Sequence, residues 1–383
     1  MTPRLADVAR RHGPGYLRRH GDAVLPSHVR ALSAITHCRT PSLGAHLGEC
    51  ARCARRHVLY HSCRHRACSR CGFEQTERWL ARQRGLVLPV PYFHITFTLP
   101  SELRRLARSH QRALLDVLFR AAYEALREMC ADERWLGGRI GTLAVLHTWT
   151  RALIYHPHVH MLVPGGALGD DGTWRPANRR GRQLYLVPER ALARLFAGKF
   201  LAMARRVLAD DVALPTIAQG TKWIVAVRRV EPGPEAVLAY LGRYVHRTAL
   251  GDAAIVAVDD DTVTFRFTDS RTRERKIMRL PADEFLRRFL QHVLPKGFHR
   301  VRSYGLLHAS RRVTLQRLQL LLDAPPVDDN GEGDDDAPRL RCPRCRGALV
   351  LLRRLTSDEC FARLELSAGA RAPPRPVQRG SAP

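Results

Sequence analysis

Apolar positions alternate with polar ones in some stretches of the chain and recur every three to four residues in others, which separates strand-forming from helix-forming segments. The run YFHITFTLP, opening at Tyr92, reads as a strand. From Glu102 to Met129, the residues Leu103, Leu106, Leu114, Leu115, Leu118 and Phe119 fall at helical spacing, and Gly137–Gly138 ends that pattern. An apolar segment with polar interruptions, TLAVLHTW, follows. HVHMLVPGG then reads as a short strand closed by a Pro-Gly-Gly turn. Helices are predicted over Glu74–Leu88, Ala191–Leu208, Glu235–His246 and Ala282–Val293, the third introduced by Pro232-Gly233-Pro234. TKWIVAVRRV is a strand by its β-branched and aromatic content, and IVAVDDDTVTFRF is two strands about an acidic turn.

The pattern also excludes whole classes. The long uncharged stretch Gly85 to Ser101 contains Pro89, Pro91, Pro100 and His94, so it is not a membrane-spanning helix. MTPRLADVARRHG at the start has no apolar core, so no secretory leader is expected. With 45% hydrophobic residues over 383 positions, wholesale disorder is excluded and one large domain with one or two small ones is expected. The 63 Lys and Arg against 36 Asp and Glu leave a net charge of +27, which calls for a polyanionic partner. Lysine occurs only at 199, 222, 276 and 296; the remaining cations are guanidinium forks, suited to bidentate grip on phosphate.

Charge also divides the chain. Residues 1–90 carry 16 bases against 5 acids and most of the cysteines, predicting a small, basic, metal-stapled domain. A larger domain spans 91–322. An acidic linker covers 323–338, of which 323–336 hold seven acids and no base. A short Cys-x2-Cys segment follows over 339–366, then a Pro/Arg/Gly-rich tail over 367–383 that is expected to be disordered.

Ten cysteines without a leader point to a reducing compartment and metal binding rather than disulfides, and so to the cytoplasm. Cys50-x2-Cys53 and Cys68-x2-Cys71 are fourteen residues apart. Each such turn aims two thiolates at one point, so together the pairs predict a closed structural Zn²⁺ shell. Cys38, His46, Cys63 and His65 remain, either as a second zinc site or as core side chains. Cys342-x2-Cys345 offers half a shell with Cys360 as the nearest third thiol; it is an incomplete site or a ligand pair shared with another segment.

Two further clusters carry chemistry. In Tyr155-His156-Pro157-His158-Val159-His160, strand alternation puts His158 and His160 on one face about 7 Å apart in Cα, able to share one cation or to stand as two solvent-facing histidines. In Tyr240-Leu241-Gly242-Arg243-Tyr244-Val245-His246-Arg247, the tyrosines are spaced i and i+4, so on a helix they share a face among cations. A phenol of pKa near 10 becomes a useful nucleophile only toward a phosphate polarised by a metal or cation; otherwise the pair is two aromatics on an amphipathic helix.

Strand FHITFTLP, then His-Val-His, then the tyrosine helix, is the motif order of HUH endonucleases, the rolling-circle nickases. More closely, the chain resembles the two-tyrosine insertion-sequence transposases of the IS-ninety-one type, from about Cys38 to Leu307. The resemblance rests on CRTPSLGAH, SCRHRACSRC, LPVPYFHITFTLP, LHTW with YHPHVHMLVPGG, YLGRYVHRTAL and FLQHVLPKGFHRVRSYG. One departure is Ala67, where the family pattern has His; if that His is a zinc ligand, His65 must stand in for it here.

The resemblance implies an α+β fold, an antiparallel sheet flanked by helices and preceded by a Cys-rich zinc-binding domain. It implies Mg²⁺ or Mn²⁺ on His158 and His160 with a third group, for which His156 is a candidate though Pro157 leaves its direction open. It implies attack by Tyr240 or Tyr244 on single-stranded DNA at element ends, with a 5′-phosphotyrosine and rolling-circle-like transfer. Lys222, Arg243 and Arg247 are candidates for steadying phosphate charge. The alternatives are a plasmid replication or mobilisation nickase and an inactive or regulatory zinc DNA-binding protein.

Overall fold

The computed structural model describes residues 2–324 and 340–366, except 178, 181–182, 216–220, 231–233, 243–244, 246–247 and 270–271. The chain opens with two helices, α1 (Leu5–His20) and α2 (Pro26–His37). Leu5, Val8, Ala9 and Tyr16 are buried on one side of α1, and Ala31, Leu32 and Ile35 on one side of α2. A hairpin, β1 (Ala45–Cys50) and β2 (Arg56–Tyr60), leads to α3 (Ser69–Arg84).

The central part begins at β3 (Tyr92–Thr98), as expected. The helix expected from Glu102 to Met129 is two helices, α4 (Ser101–Ser109) and α5 (Gln111–Ala131), because His110 leaves helical backbone and Ser109 Oγ donates back to the Leu106 carbonyl. Strands β4 (Gly141–Trp149) and β5 (Tyr155–Pro164) follow, then short hairpin strands β6 (Gly166–Leu168), β7 (Trp174–Pro176), β8 (Arg179–Arg180) and β9 (Gln183–Leu184). Next come α6 (Glu189–Val207), β10 (Ile224–Val230) and α7 (Pro234–Gly242). The chain continues through β11 (Ile255–Val258), β12 (Thr262–Thr268), β13 (Arg275–Pro281), α8 (Ala282–Leu290), β14 (Val301–Gly305) and α9 (Arg312–Leu321). Past the acidic stretch lie β15 (Leu349–Leu355) and α10 (Ser357–Leu366).

The main sheet has the order β10-β3-β5-β4-β14, with every pairing antiparallel. Its two faces differ because successive side chains alternate. Phe93, Ile95, Phe97, Val159, Met161, Val163, Ala144 and Leu146 share a core with Leu115, Leu118, Phe119, Phe196 and Phe200 of α5 and α6. Each large apolar side chain so buried contributes about 1.5–3 kcal/mol. The opposite face is divided along the strands. Tyr92, Leu143, Val145 and Leu162 pack against Val237 and Leu238 of α7, while His94, Thr96, His147, His158 and His160 make up its polar part.

Three smaller cores lie elsewhere among the described residues, one of them formed by Leu88, Leu168, Leu306, Leu315 and Leu318. Helices α1 and α2 share another with α8 and the sheet β11-β12-β13, through Leu5, Val8, Leu32, Val263, Phe265, Phe285 and Phe289. At the other end of the sequence, β15 pairs antiparallel with β1, making a sheet of order β15-β1-β2. The expected α+β class, antiparallel sheets flanked by helices with a Cys-rich N-terminal part, is the observed one.

Candidate active site

The polar part of the sheet is built by register. His158 and His160 lie on one face of β5, and β4 sets His147 directly opposite His158. Cross-strand partners approach more closely than residues two apart on one strand. Ligand nitrogens of His147, His158 and His160 consequently all lie within 4.8 Å of one another. The ring of His147 is 4.7 Å from that of His160 and stacks on Trp149 at 4.5 Å, which fixes its orientation.

The outward nitrogens are tied. His158 Nδ1–H donates to the carbonyl of His156 at 2.7 Å, and His160 Nδ1 lies 2.8 Å from His94 Nε2 and 3.2 Å from Thr96 Oγ1. With both Nδ1 atoms engaged, Nε2 is the ring nitrogen that His158 and His160 turn toward the cluster. Burial, with Arg104 nearby, pulls the His158 pKa down to about 4, and burial with Arg228 and His158 does the same to His94. Both are therefore neutral near pH 7, the state that ligates metal. A divalent cation fits this donor set: three convergent imidazoles, one buried and two half-buried.

His156, the third ligand considered from the sequence, is not among the convergent nitrogens, where His147 stands beside His158 and His160. Its ring lies 5.2 Å from that of His158, but it stands one full strand repeat away from the cluster and its Nδ1 is buried without a hydrogen-bond partner. Tyr240, on α7, is half-buried and presents its ring edge-on to His94 at 5.0 Å. Tyr244, Arg243 and Arg247 lie outside the described residues, and Lys222 is exposed just ahead of β10.

The cysteines are partitioned differently from the expectation. Cys50 and Cys53 do not share a shell with Cys68 and Cys71. Cys68 and Cys71 converge instead with Cys38, at the end of α2, and Cys63, with Cys71 Sγ 3.6 Å from both. The β1–β2 hairpin carries Cys50 and Cys53 to Cys342 and Cys345, forming a second group of four. His46 and His65 belong to neither group. His46 Nδ1 meets His61 Nε2 at 3.1 Å, and His65 Nδ1 accepts from the Ala67 amide at 3.2 Å. Cys38 completes the first group, so nothing has to replace a histidine at Ala67. Cys360 is buried under β15 with Ala45, Leu47 and Leu355, apart from both groups.

Residues 141–314 match a protein family described as "Putative transposase", and residues 8–99 match a "Transposase zinc-binding domain". Over 355 residues, 88% of this chain and of its relative, the chain is 38% identical to "Putative transposase y4qJ" of Sinorhizobium fredii. It is 30% identical over 307 residues to the "Transposase for insertion sequence element IS801" of Pseudomonas savastanoi pv. phaseolicola, covering 77% of this chain and 73% of that one. The chain belongs to this transposase family. No solved structure matches it, and among the described residues no helix is long and apolar enough to cross a membrane.

Sequence reasoning missed four residues of this candidate site. His147 was visible only as one polar interruption in TLAVLHTW, and His94 as one in YFHITFTLP; strand register gives each its neighbour. Arg228 sits opposite His94 in the β3–β10 pairing and is exposed. Arg104 acts on His158 from α4, with its Nε buried and without a partner. Farther along the same sheet, a cleft of about 820 Å³ runs beside edge strand β14, lined by Arg112, Arg120, Arg302, Arg312, His299 and His308. Arg302 ion-pairs with Asp116 and lies 4.3 Å over the Phe119 ring, and Arg112 donates to the Lys296 carbonyl.

Proposed function

We propose that this transposase nicks and rejoins single-stranded DNA at insertion-sequence ends through a 5′-phosphotyrosine, in rolling-circle-like transposition in the cytoplasm. The observation that carries the reading is the line from Tyr240 on α7, through His94, to His160 of a three-histidine cluster. His147, His158 and His160 would hold Mn²⁺ or Mg²⁺, which when bound polarises the scissile phosphate and stabilises its developing charge.

The protein's own groups do the rest. With Nε2 given to a metal, His160 would keep its proton on Nδ1 and donate it to His94 Nε2, 2.8 Å away. His94 then carries its own proton on Nδ1 and holds both the ligand ring and the tyrosine ring in place. Tyr240 Oη attacks phosphorus; the Oη–P bond forms as the P–O3′ bond breaks, and the phenolic proton balances the departing 3′-oxygen as a 3′-OH. The bond energy is retained in the phosphotyrosine, so the 3′-OH of a new junction can reverse the step. Tyr244 would supply the second such intermediate. Arg228 and Arg104, with Lys222, Arg243 and Arg247 from the sequence reading, would steady phosphate charge.

The basic cleft beside β14 would carry the strand's backbone, since Arg112, Arg120 and Arg312 suit phosphates. Cys38, Cys63, Cys68 and Cys71 would hold a structural Zn²⁺ that ties α2 to α3 in the lobe recognising element ends.

The test is a denaturing-gel assay of purified protein with labelled single-stranded DNA bearing the element's own end, with Mn²⁺ or with EDTA. A protease-sensitive covalent adduct that requires the metal and disappears on Tyr240→Phe with Tyr244→Phe is expected. Tight binding with no adduct in the presence of Mn²⁺ would favour a DNA-binding protein without cleavage activity.

A further inference from the structure

We propose that Cys50, Cys53, Cys342 and Cys345 form a second structural Zn²⁺ site, which clamps the C-terminal segment onto the N-terminal lobe. The zinc-binding-domain match ends at residue 99 and holds only half of this ligand set.

The two halves are the same small structure made twice. In one, the Cys50 amide donates to the Arg55 carbonyl at 2.9 Å, the Ala54 amide to the Cys50 carbonyl at 2.8 Å, and Ala54 adopts a positive φ of 52°. In the other, the Cys342 amide donates to the Gly347 carbonyl at 2.8 Å, the Arg346 amide to the Cys342 carbonyl at 2.8 Å, and Arg346 has a φ of 58°. Each turn holds a left-handed non-glycine residue, an arrangement that costs about 1 kcal/mol or more and persists only where the surroundings demand it. A turn that must aim two sulfurs at one point makes such a demand.

The two turns face each other. Cys50 Sγ lies 3.4 Å from Cys345 Sγ, and Cys53 Sγ 3.8 Å from Cys342 Sγ, a pair 289 positions apart in sequence. All four sulfurs fall within 4.8 Å of one another, a closed set of soft ligands with no place for a fifth group. Gly347 closes the approach: a Cβ there would sit 3.0 Å from Cys50 Sγ and 2.7 Å from Arg52 Cβ. His57 Nε2 is 3.2 Å from Cys342 Sγ, positioned to donate to a thiolate.

Without metal little holds this part of the fold. The core beneath β15 is small, with Ala45, Leu47, Leu355 and Cys360 buried at its centre, and Val350, Leu351 and Leu352 are exposed on the edge strand. A sheet of three short strands with so few buried side chains needs a staple. The zinc ion is that staple, and it closes residues 54–341 into a loop.

The test counts metal in the full-length chain and is independent of DNA cleavage. The three-histidine cluster is also a set of zinc donors, so the count is made with His147→Ala and His160→Ala in every chain: such protein, purified with Zn²⁺ and freed of loosely held metal, should carry two ions per chain by elemental mass spectrometry. Cys342→Ser with Cys345→Ser should carry one, and Cys38→Ser with Cys63→Ser should also carry one. Two ions retained in the first variant would overturn the site. To keep the test independent of variant folding, wild-type protein reloaded with Co²⁺ should develop thiolate-to-cobalt charge-transfer absorption up to two equivalents; saturation at one would overturn it. A protease site engineered between residues 328 and 336 gives a third readout. After cleavage the fragments should remain together until zinc is chelated; fragments that part with two ions still bound, or stay together once stripped, would overturn the clamp.

Discussion

The ring of Tyr240 meets the ring of His94 edge-on at 5.0 Å, and the same His94 reaches His160 at 2.8 Å. A helix and a strand far apart in sequence are thereby joined at one imidazole. Replacing His94 with Phe keeps the ring contact and removes the nitrogen that tethers His160. We expect Mn²⁺ affinity to fall about 10–100-fold in His94→Phe, with partial rescue in His94→Gln, which retains an acceptor. Calorimetric titration of Mn²⁺ into both variants measures this; equal affinities would mean that His94 only packs.

Truncating a ligand should cost more than truncating its support. His147→Ala removes one of three donors and should abolish metal-dependent adduct formation while DNA binding persists. Retention of wild-type cleavage by this variant, measured by adduct yield against Mn²⁺ concentration, would move the metal centre elsewhere.

Three imidazoles also bias the choice of metal. Nitrogen donors suit Mn²⁺ better than the hard, oxygen-seeking Mg²⁺. Half-maximal adduct formation should therefore need at least about tenfold less Mn²⁺ than Mg²⁺, an order-of-magnitude expectation from ligand softness. Equal requirements would indicate that oxygen ligands dominate the site.

Burial holds His94, His156 and His158 at pKa values of about 4, below the ordinary value near 6.5. In the unfolded chain each takes a proton as pH falls through 6.5, and the folded state refuses it until about pH 4. The stability present above pH 6.5 is thus lost between 6.5 and 4, at up to about 1.4 kcal/mol per pH unit for each histidine. Thermal unfolding in EDTA from pH 7.5 to 4.5 should show Tm falling below pH 6.5, with a shallower fall in His156→Gln. A flat profile would contradict the burial of this cluster.

Arg112, Arg120 and Arg312 line the cleft beside β14. If each meets one phosphate of a single strand, each Ala substitution should reduce the slope of log affinity against log salt by about 0.7. Fluorescence anisotropy across a salt series measures the slope, and an unchanged slope in the triple variant would place the DNA elsewhere.

Much of this was legible in the residues. Period-two patterning gave β3 and β5 and the shared face of His158 and His160, because alternation is a property of the strand itself. Period-3.6 patterning likewise gave α5, α6 and α8 to within a few residues at most ends. Helix α1 was hidden by Gly13-Pro14-Gly15, where the buried face contributed by Leu5, Val8, Ala9 and Tyr16 overrides weak local propensity.

The sequence alone determined which residue types stand ready: a His-x-His face, a tyrosine helix, and Cys-x2-Cys turns that aim thiolates in pairs. Which pairs meet was decided only by the tertiary structure. His147 joins His158 because β4 pairs with β5 in one register, where a shift of a single residue would turn it to the opposite face. Cys50 and Cys53 meet Cys342 and Cys345 because β1 pairs with β15, and Cys68 and Cys71 meet Cys38 because α3 starts where α2 ends. A local turn fixes two ligands by covalent geometry, whereas the other half of a shell comes from strand pairing and helix packing across the chain, which spacing along the sequence does not encode.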